Sequence, residues 1–584
     1  MTKSGKSKGL QWSMFLRLMK MAEEQRKFIV IAVILTIVQS LLTALQPYIY
    51  KRIIDEVIMV GRFQYLGYWC TILFIWLLVQ AILGFANAYL SENIAQSIIL
   101  KLRQYVYEHL IQLKMRFFDK TPVGTAVTRS VSDIQTITDL FSAGVITILG
   151  DLVQIIAILS CMVYLNWKLT LLTMLVIPLL MYSANKFRKG IRDSFQDVRN
   201  QVSALNAFLQ ERISGMGVVQ LFNQQEREFN KFKIINKKHR DANVKSIFFY
   251  SVFFPIVEVL VALAFAIIIA FGSVLLFDAK IELGEITAFL MFINLFFRPI
   301  RAIADRFNNI QMGIVAAERI FNLIDDKENL ERKGTIVATK LKGDIRFENV
   351  EFAYNPDHQV LKSISFNVDA GKSMAIVGTT GSGKTSIANL ITQMYAHQNG
   401  SILIDDIPIE NYDLPSLRKR IAFVLQDVFL FSGSIRTNLV IKNEEMSTHE
   451  IERIAKEIGA YDFIEQLPGG FEFNVQERGL SLSQGQRQLI AFIRAMAISP
   501  DIIVLDEATS AIDSKTESLI QKAIELLLKN RTAVVIAHRL STIKNCDEIL
   551  VLDHGNIKER GNHEALMALN GVYADLYNTQ FQQN

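Results

Sequence analysis

The chain has 584 residues, 51% of them hydrophobic, and a formal net charge of +5; its mean hydropathy of +0.25 and pI near 8.8 describe a protein too long for one core and too apolar to be water-facing throughout. The basic balance comes without any lysine or arginine block interleaved with aromatics, which argues against a nucleic-acid partner. Cys70, Cys161 and Cys546 show no C-x-x-C spacing, which argues against a disulfide framework or a zinc site.

Residues 1–27 are basic and carry no small-residue cleavage site before the apolar run that starts near Phe28. They are expected to remain as a cytoplasmic tail, with room for a short interfacial helix. Six segments then have the length and apolarity to cross a bilayer core of about 30 Å, which takes roughly 20 helical residues. They are 28–50, 66–90, 143–165, 169–186, 247–272 and 284–308, within a transmembrane domain expected over 28–322. Lys3, Lys6, Lys8, Arg17, Lys20, Arg26 and Lys27 precede the first span, whereas the outer links are short and cation-poor, so both termini are expected in the cytoplasm. The tightest outer link is Leu165-Asn166-Trp167-Lys168, which makes spans three and four antiparallel neighbours.

Between spans two and three, and again between four and five, lie stretches of mixed polar and apolar helical pattern, too polar for lipid. They read as cytoplasmic extensions of the membrane helices, each pair joined by a short turn helix. Glu258 stands inside the fifth apolar run, where a carboxylate either faces a substrate cavity and favours cationic amphiphiles or bonds to a neighbouring helix. Phenylalanines cluster on spans five and six, among them Phe248, Phe254, Phe289 and Phe297, as lipid-facing or packing residues.

A charged linker over 323–340 separates this half from an α/β domain at 341–584, whose strands include IRFENVEFAY, SMAIVG, IAFVLQ, DIIVLDEA and TAVVIAHR. The strand SMAIVG runs into Gly378-Thr379-Thr380-Gly381-Ser382-Gly383-Lys384-Thr385, with a helix following from Ser386. Strand, G-x-x-x-x-G-K-[ST] and helix in that order make a phosphate-binding loop: glycines let the backbone wrap phosphates, N–H groups and the helix N-terminus donate, and Lys384 neutralises charge. Thr385 is the expected magnesium ligand. Ile502-Ile503-Val504-Leu505 ends in Asp506, placed to hold magnesium chiefly through water, and Glu507 follows, placed as the base for in-line attack of water on the γ-phosphate.

Leu482-Ser483-Gln484-Gly485-Gln486, directly before a helix, resembles the signature sequence of the ATP-binding cassette (ABC) family. The resemblance covers nearly the whole chain, and is strongest from Ile345 onward. It implies an α-helical transmembrane domain of six spans fused to an α/β P-loop cassette, working as an exporter with ATP and Mg2+. Ser483 and Gly485, with Gln484 and Gln486 beside them, are implied to contact the γ-phosphate bound by a second cassette. Tyr354 resembles the aromatic that stacks on adenine, Gln426 the glutamine linking magnesium to the membrane domain, and His538 the switch histidine; Ser386 completes the nucleotide loop. Ser510-Ala511-Ile512-Asp513 resembles the loop that crosses the dimer interface, and Glu477-Arg478-Gly479 a coupling segment. Phe117-Phe118-Asp119 with Gly124 and Arg129, and Gly284-Glu285, resemble looser exporter motifs. Gln484 departs from the commonest signature, which has glycine there.

A site split between two cassettes implies a dimer of half-transporters. A homodimer is the first expectation because nothing in the cassette is degenerate, and pairing with an unlike half is the second. The implied cargo is hydrophobic or amphipathic, drug or lipid, and the implied location a bacterial inner or plasma membrane. A nucleotide-gated channel or regulator is the competing reading, but it usually carries damaged catalytic residues or appended segments.

Overall fold

In the computed structural model, residues 12–21, 23–140, 146–278, 280–326, 334–441, 445–506, 514–537 and 540–580 are described, with backbone alone at some helical positions, residues 300–309 among them. The chain divides into two compact units, one containing residues up to His109 and Gly124–Asp325, the other Leu110–Val123 and the chain from Asp326 on.

The first unit is all helix. A short amphipathic helix α1 (Trp12–Met21) precedes α2 (Arg26–Arg52) and α3 (Leu66–Leu110). After α4 (Met115–Lys120), which belongs to the second unit, come α5 (Ile146–Leu165), α6 (Trp167–Met174), α7 (Ile177–Ser214), α8 (Gln225–Phe277) and α9 (Leu283–Ile324). At 45 and 53 residues, α3 and α8 are about 68 and 80 Å long, so each continues well past any bilayer, as the polar stretches of sequence require.

Among the described residues, five helical stretches are long and apolar enough to cross a membrane: Glu23–Ile58, Phe63–Leu110, Thr147–Leu165, Trp167–Ser214 and Gln225–Phe277. The sixth expected span, 284–308, falls within α9, but its last residues lie outside the described side chains, so five spans stand where six were expected. The fourth differs in form. It breaks after Met174 into α6 and α7, with Pro178 in the first turn of α7, where its missing N–H costs no hydrogen bond.

The link between α5 and α6 is one residue, Asn166, whose side chain caps α6 by accepting from the Lys168 and Leu169 amides at 3.1 and 3.2 Å. At the far end of α2, Asp55 is 9% exposed and accepts from the Gly284 amide at 2.6 Å. Lys51 Nζ lies 3.2 Å from Asp55 and 2.8 Å from Glu282. A Cβ on Gly284 would sit 2.5 Å from the Asp55 carboxylate, so only glycine lets α9 start against α2 there. Phe289, Phe292, Phe296 and Phe297 of α9 are buried in the unit's core; on α8, Phe253 and Phe265 pack partly buried against that core, while Phe248 and Phe254 are exposed. At the opposite end, the Arg17 guanidinium of α1 grips Asp325 through two bonds of 2.6 and 2.7 Å and lies over the Phe321 ring.

The second unit contains two sheets. β1 (Ile345–Phe352), β2 (Leu361–Val368), β4 (Asn399–Ile404) and β5 (Ile407–Pro408) form an antiparallel sheet in the order β2-β1-β4-β5. β3 (Ser373–Gly378), β6 (Ile421–Val424), β7 (Ile502–Asp506), β8 (Thr532–Ile536), β9 (Glu548–Asp553) and β10 (Asn556–Gly561) form the other, ordered β10-β9-β3-β8-β7-β6. In that sheet every pair but β10–β9 is parallel. β7 and β8 are buried at every residue, which their unbroken runs of Ile, Val, Leu and Ala anticipate.

Candidate functional site

Strand β3 ends at Gly378 and helix α10 (Lys384–Ile391) begins six residues later, so the loop between them turns over the carboxyl ends of β3 and its parallel neighbours. Its glycines are constrained individually. Gly378 has φ +152° and a Cβ there would strike the Leu552 carbonyl, while Gly383 has φ +107° and a Cβ there would meet Leu361 at 2.6 Å. Thr379, Thr380 and Gly381 form the exposed crest, with the amides that open α10 beneath them.

Lys384 is 8% exposed and folds back over the loop, donating to the carbonyls of Gly378 at 2.8 Å and Thr379 at 3.0 Å. Burial holds its ammonium below the ordinary lysine value, with Asp506 pulling the other way. Ser382 is 1% exposed and its hydroxyl has no hydrogen-bond partner. A buried hydroxyl without a partner is costly, and an anion seated in the loop is the partner this geometry offers.

Thr385 Oγ1 donates to Asp506 Oδ2 at 3.2 Å, so the first turn of α10 and the end of β7 bring one hydroxyl and one carboxylate together beside the loop. Hard oxygen donors of this kind suit a small divalent cation rather than a thiolate-seeking metal. Glu507, Asp513 and His538, with the loop Ser510–Asp513, lie outside the described residues. Gln426 is described, exposed, two residues beyond the end of β6.

Tyr354 keeps one hydroxyl close to the loop: Ser386 Oγ and Asn389 Nδ2 both donate to it, at 3.2 and 3.1 Å. Its ring stands edge-on to Tyr395, centroids 4.9 Å apart, and Tyr395 in turn donates its hydroxyl to Asp119 of α4. An unbroken series of contacts therefore joins the segment Leu110–Val123 to the phosphate-loop helix. Nothing in the sequence marked Tyr395. It sits just past α10 without periodicity or motif to distinguish it.

The signature sequence opens helix α11 (Gln484–Ala497). Ser483 is its N-cap and forms a reciprocal capping box with Gln486: the Gln486 amide donates to Ser483 Oγ at 3.2 Å, and the Ser483 amide to Gln486 Oε1 at 2.9 Å. Gly485 is buried and Gln484 half-buried, so the serine hydroxyl and the first amides of α11 form an exposed edge. The preceding turn Glu477–Gly479 carries two positive φ values, Arg478 at +56° and Gly479 at +70°. Arg487 holds this turn by donating to the carbonyls of Leu482 at 2.8 Å and Gly479 at 3.3 Å.

In the first unit, Glu258 is exposed on α8 and is not among the residues that line the cavity between α2, α3 and α5, where Thr36, Ser40, Asn87 and Gln154 stand. The cavity's own signal in the sequence is a polar stripe at helical spacing inside an apolar run, Thr36, Ser40 and Thr43, which hydropathy averaging hides.

Comparison with known proteins agrees with this architecture. Residues 29–300 match the ABC transporter transmembrane region and residues 361–510 the ABC transporter family. The chain is 38% identical over 503 residues to a protein of Bacillus subtilis (strain 168) named as a probable multidrug resistance ABC transporter ATP-binding/permease protein, YheH, covering 85% of this chain and 74% of that one. It is 34% identical over 540 residues to an ATP-dependent lipid A-core flippase of Haemophilus influenzae (strain 86-028NP), covering 91% of each. Among solved structures, that of a bacterial Atm1-family ABC exporter with ATP bound superposes with a TM-score of 0.78 at 26% identity, over 95% of this chain and 98% of that one. The chain belongs to the ABC transporter family, as an exporter-type half-transporter in which an integral membrane region is fused to an ATPase cassette.

Proposed function

We propose that this protein exports hydrophobic or amphipathic molecules, drugs or lipids, as a homodimer driven by hydrolysis of MgATP. The observation that carries the reading is the phosphate loop itself: a partnerless buried Ser382 hydroxyl and a folded-back Lys384 beside the Thr385–Asp506 pair. Those groups suit a triphosphate with its cation.

Thr385 and Asp506, with Gln426, would hold the magnesium ion, which supplies charge neutralisation to the phosphates when bound. The backbone of Gly378–Lys384 orients the β and γ groups, and Lys384 exchanges its carbonyl partners for phosphate oxygens. Tyr354 presents a ring to the adenine. Glu507 accepts the proton of the attacking water, and His538 orients the γ-phosphate. The exposed edge of Ser483 and Gly485 supports a second cassette's nucleotide as its target, with Asp513 at the same interface. Because one chain carries one loop and one signature, two complete sites require two chains.

A basic N-terminal segment supports a cytoplasmic cassette in a bacterial inner membrane. The relative named for lipid A-core and the one named for multidrug resistance support a lipid or drug cargo equally. The test is Mg2+-dependent ATP hydrolysis by the chain alone in lipid nanodiscs, beside Glu507→Gln. Activity abolished in the variant supports a self-sufficient homodimer, whereas folded, ATP-binding but inactive wild-type protein sinks the homodimer and points to an unlike partner.

A further inference from the structure

The junction between the far end of α2 and the start of α9 gathers more negative charge than its surroundings neutralise. Lys51 Nζ lies 3.2 Å from Asp55, 2.8 Å from Glu282 and 3.9 Å from Glu285, so three carboxylates converge on one ammonium. The nearby cations on the same elements are taken by acids of their own: Arg52 pairs with Glu56 at 3.4 Å and Lys280 with Asp278 at 2.7 Å, all four exposed. Among the described residues, the groups that act on Glu285 are Lys51, Glu282, Asp55 and the neutral Asn166 side chain.

The excess falls on one carboxyl in particular. Asp55 is 9% exposed; its Oδ1 accepts from the Gly284 amide at 2.6 Å, while its Oδ2 is shut off from water and accepts no hydrogen bond. The Asp55 carboxyl stands within hydrogen-bond reach of the Glu282 carboxyl. Two ionised carboxylates can only accept, so a bond between them exists only when one carries a proton. Carboxylates that share a site do not both stay ionised, and the proton then belongs to the pair rather than to either residue. Asp55 also sits where α2 widens into a π-turn, Ile53–Ile58, a form found frequently at functional sites. An ion pair serving adhesion alone would set one acid against Lys51, not three.

We propose that the Asp55–Glu282 pair binds one proton and makes the closure of α9 against α2 sensitive to pH. With the two helix ends together, the proton bridges the carboxyls, Lys51 holds Glu282 and the Gly284 amide holds Asp55. When the ends part, water solvates each acid and the proton leaves to it. The closed junction therefore binds one proton more than the open one. Acid favours closure and alkali favours parting, by up to about tenfold per pH unit. Gly284 permits the approach, because a Cβ there would sit 2.5 Å from the Asp55 carboxylate. The device stands on α2 and α9 alone and needs neither ATP nor cargo. Under the export reading above, this end is the exit side, where an acidic exterior would hold the exit shut.

The test uses the full chain, nucleotide-free in lipid nanodiscs, between about pH 5 and pH 8, where ordinary carboxyls are ionised. Infrared difference spectra of wild type against Asp55→Asn should show a protonated-carboxyl C=O band that the variant lacks. Glu282→Gln should lose the band too, because Asp55 then ionises beside Lys51. Spin labels on Val60→Cys and Lys280→Cys, both exposed positions, report the separation of the helix ends by pulsed dipolar spectroscopy, with Cys70, Cys161 and Cys546 replaced by serine. In wild type the ratio of closed to parted ends should rise severalfold with acid. In Asp55→Asn, which keeps an acceptor for the Gly284 amide and cannot ionise, the ratio should not move with pH. If that variant does not reach the membrane, Glu282→Gln decides by the same loss of response. A wild-type separation that ignores pH, a band undiminished in the variants, or an equal pH response in wild type and variants overturns the proposal. A chain that shows the response but hydrolyses no ATP refutes the export reading and leaves the proton site standing.

Discussion

The Tyr395 hydroxyl donates to the Asp119 carboxylate, and this bond ties the α4 segment to a ring that packs edge-on against Tyr354. Tyr395→Phe removes the bond and keeps the packing. Basal ATP hydrolysis is expected to persist while its stimulation by cargo falls roughly threefold to tenfold. A double-mutant cycle with Asp119→Asn should return a coupling of about 1 kcal/mol in that stimulation. Strictly additive effects would remove the pair from the coupling route.

Ser382 gives two effects of opposite sign. Ser382→Ala removes a buried hydroxyl that has no partner, so the nucleotide-free cassette should gain about 1 kcal/mol. The same change should weaken ATP binding several-fold, because the phosphate loses a donor. Melting curves with and without nucleotide measure both at once, and a loss of stability without nucleotide contradicts the assignment.

Gln486→Ala breaks one half of the capping box and should cost the cassette about 0.5–1 kcal/mol while leaving most hydrolysis. Ser483→Ala removes the other half and also the hydroxyl proposed to face phosphate. Its stability loss should be similar, and its loss of ATPase activity at least tenfold greater. Equal activity in the two variants would reduce Ser483 to a cap.

Asp547 sets an acid limit. Burial opposes its charge, but hydrogen bonds from Lys372 Nζ at 2.9 Å and from the Ser373 amide and hydroxyl outweigh that and hold its carboxyl below the ordinary aspartate value. A lowered folded-state value means stabilisation that is complete above the unfolded pKa of about 3.9 and lost as pH falls through the folded one. Asp547→Asn should therefore lower the melting temperature near pH 7 and flatten the acid limb below about pH 4. Both residues are well exposed, so the effect is modest.

At the α2–α9 junction, Gly284→Ala places a methyl 2.5 Å from the Asp55 carboxylate and should cost about 2 kcal/mol, because Asp55 loses the amide it accepts from. Asp55→Asn, which keeps an acceptor, should cost less. Thermal denaturation of the detergent-solubilised chain ranks the two, and the reverse order would show that the glycine is dispensable.

The parts of the structure legible in advance are those under strong local constraint. The runs before Asp506 and before Gly378, each of four apolar residues in succession, read as central parallel strands buried on both faces. β2 and β4 alternate weakly and pair with β1 rather than through a tight turn, so their order depended on contacts no local pattern carries. The phosphate loop and signature could be named from sequence because their geometry forces particular residues. Tyr395 could not, since its partner Asp119 is 276 positions away. The break between α6 and α7 had one visible cue, Pro178, and a hydropathy window passes over a single residue.

The length of α3 has a mechanical consequence. Of its roughly 68 Å, about 30 Å suffices for the bilayer core, leaving an unbroken arm of nearly 40 Å that ends at Leu110. Pivoting such a lever by about 10° within the membrane sweeps its tip through about 7 Å, well over one helical turn. Angular changes too small to disturb side-chain packing around the pivot thus arrive at the segment carrying Asp119 as displacements longer than any hydrogen bond.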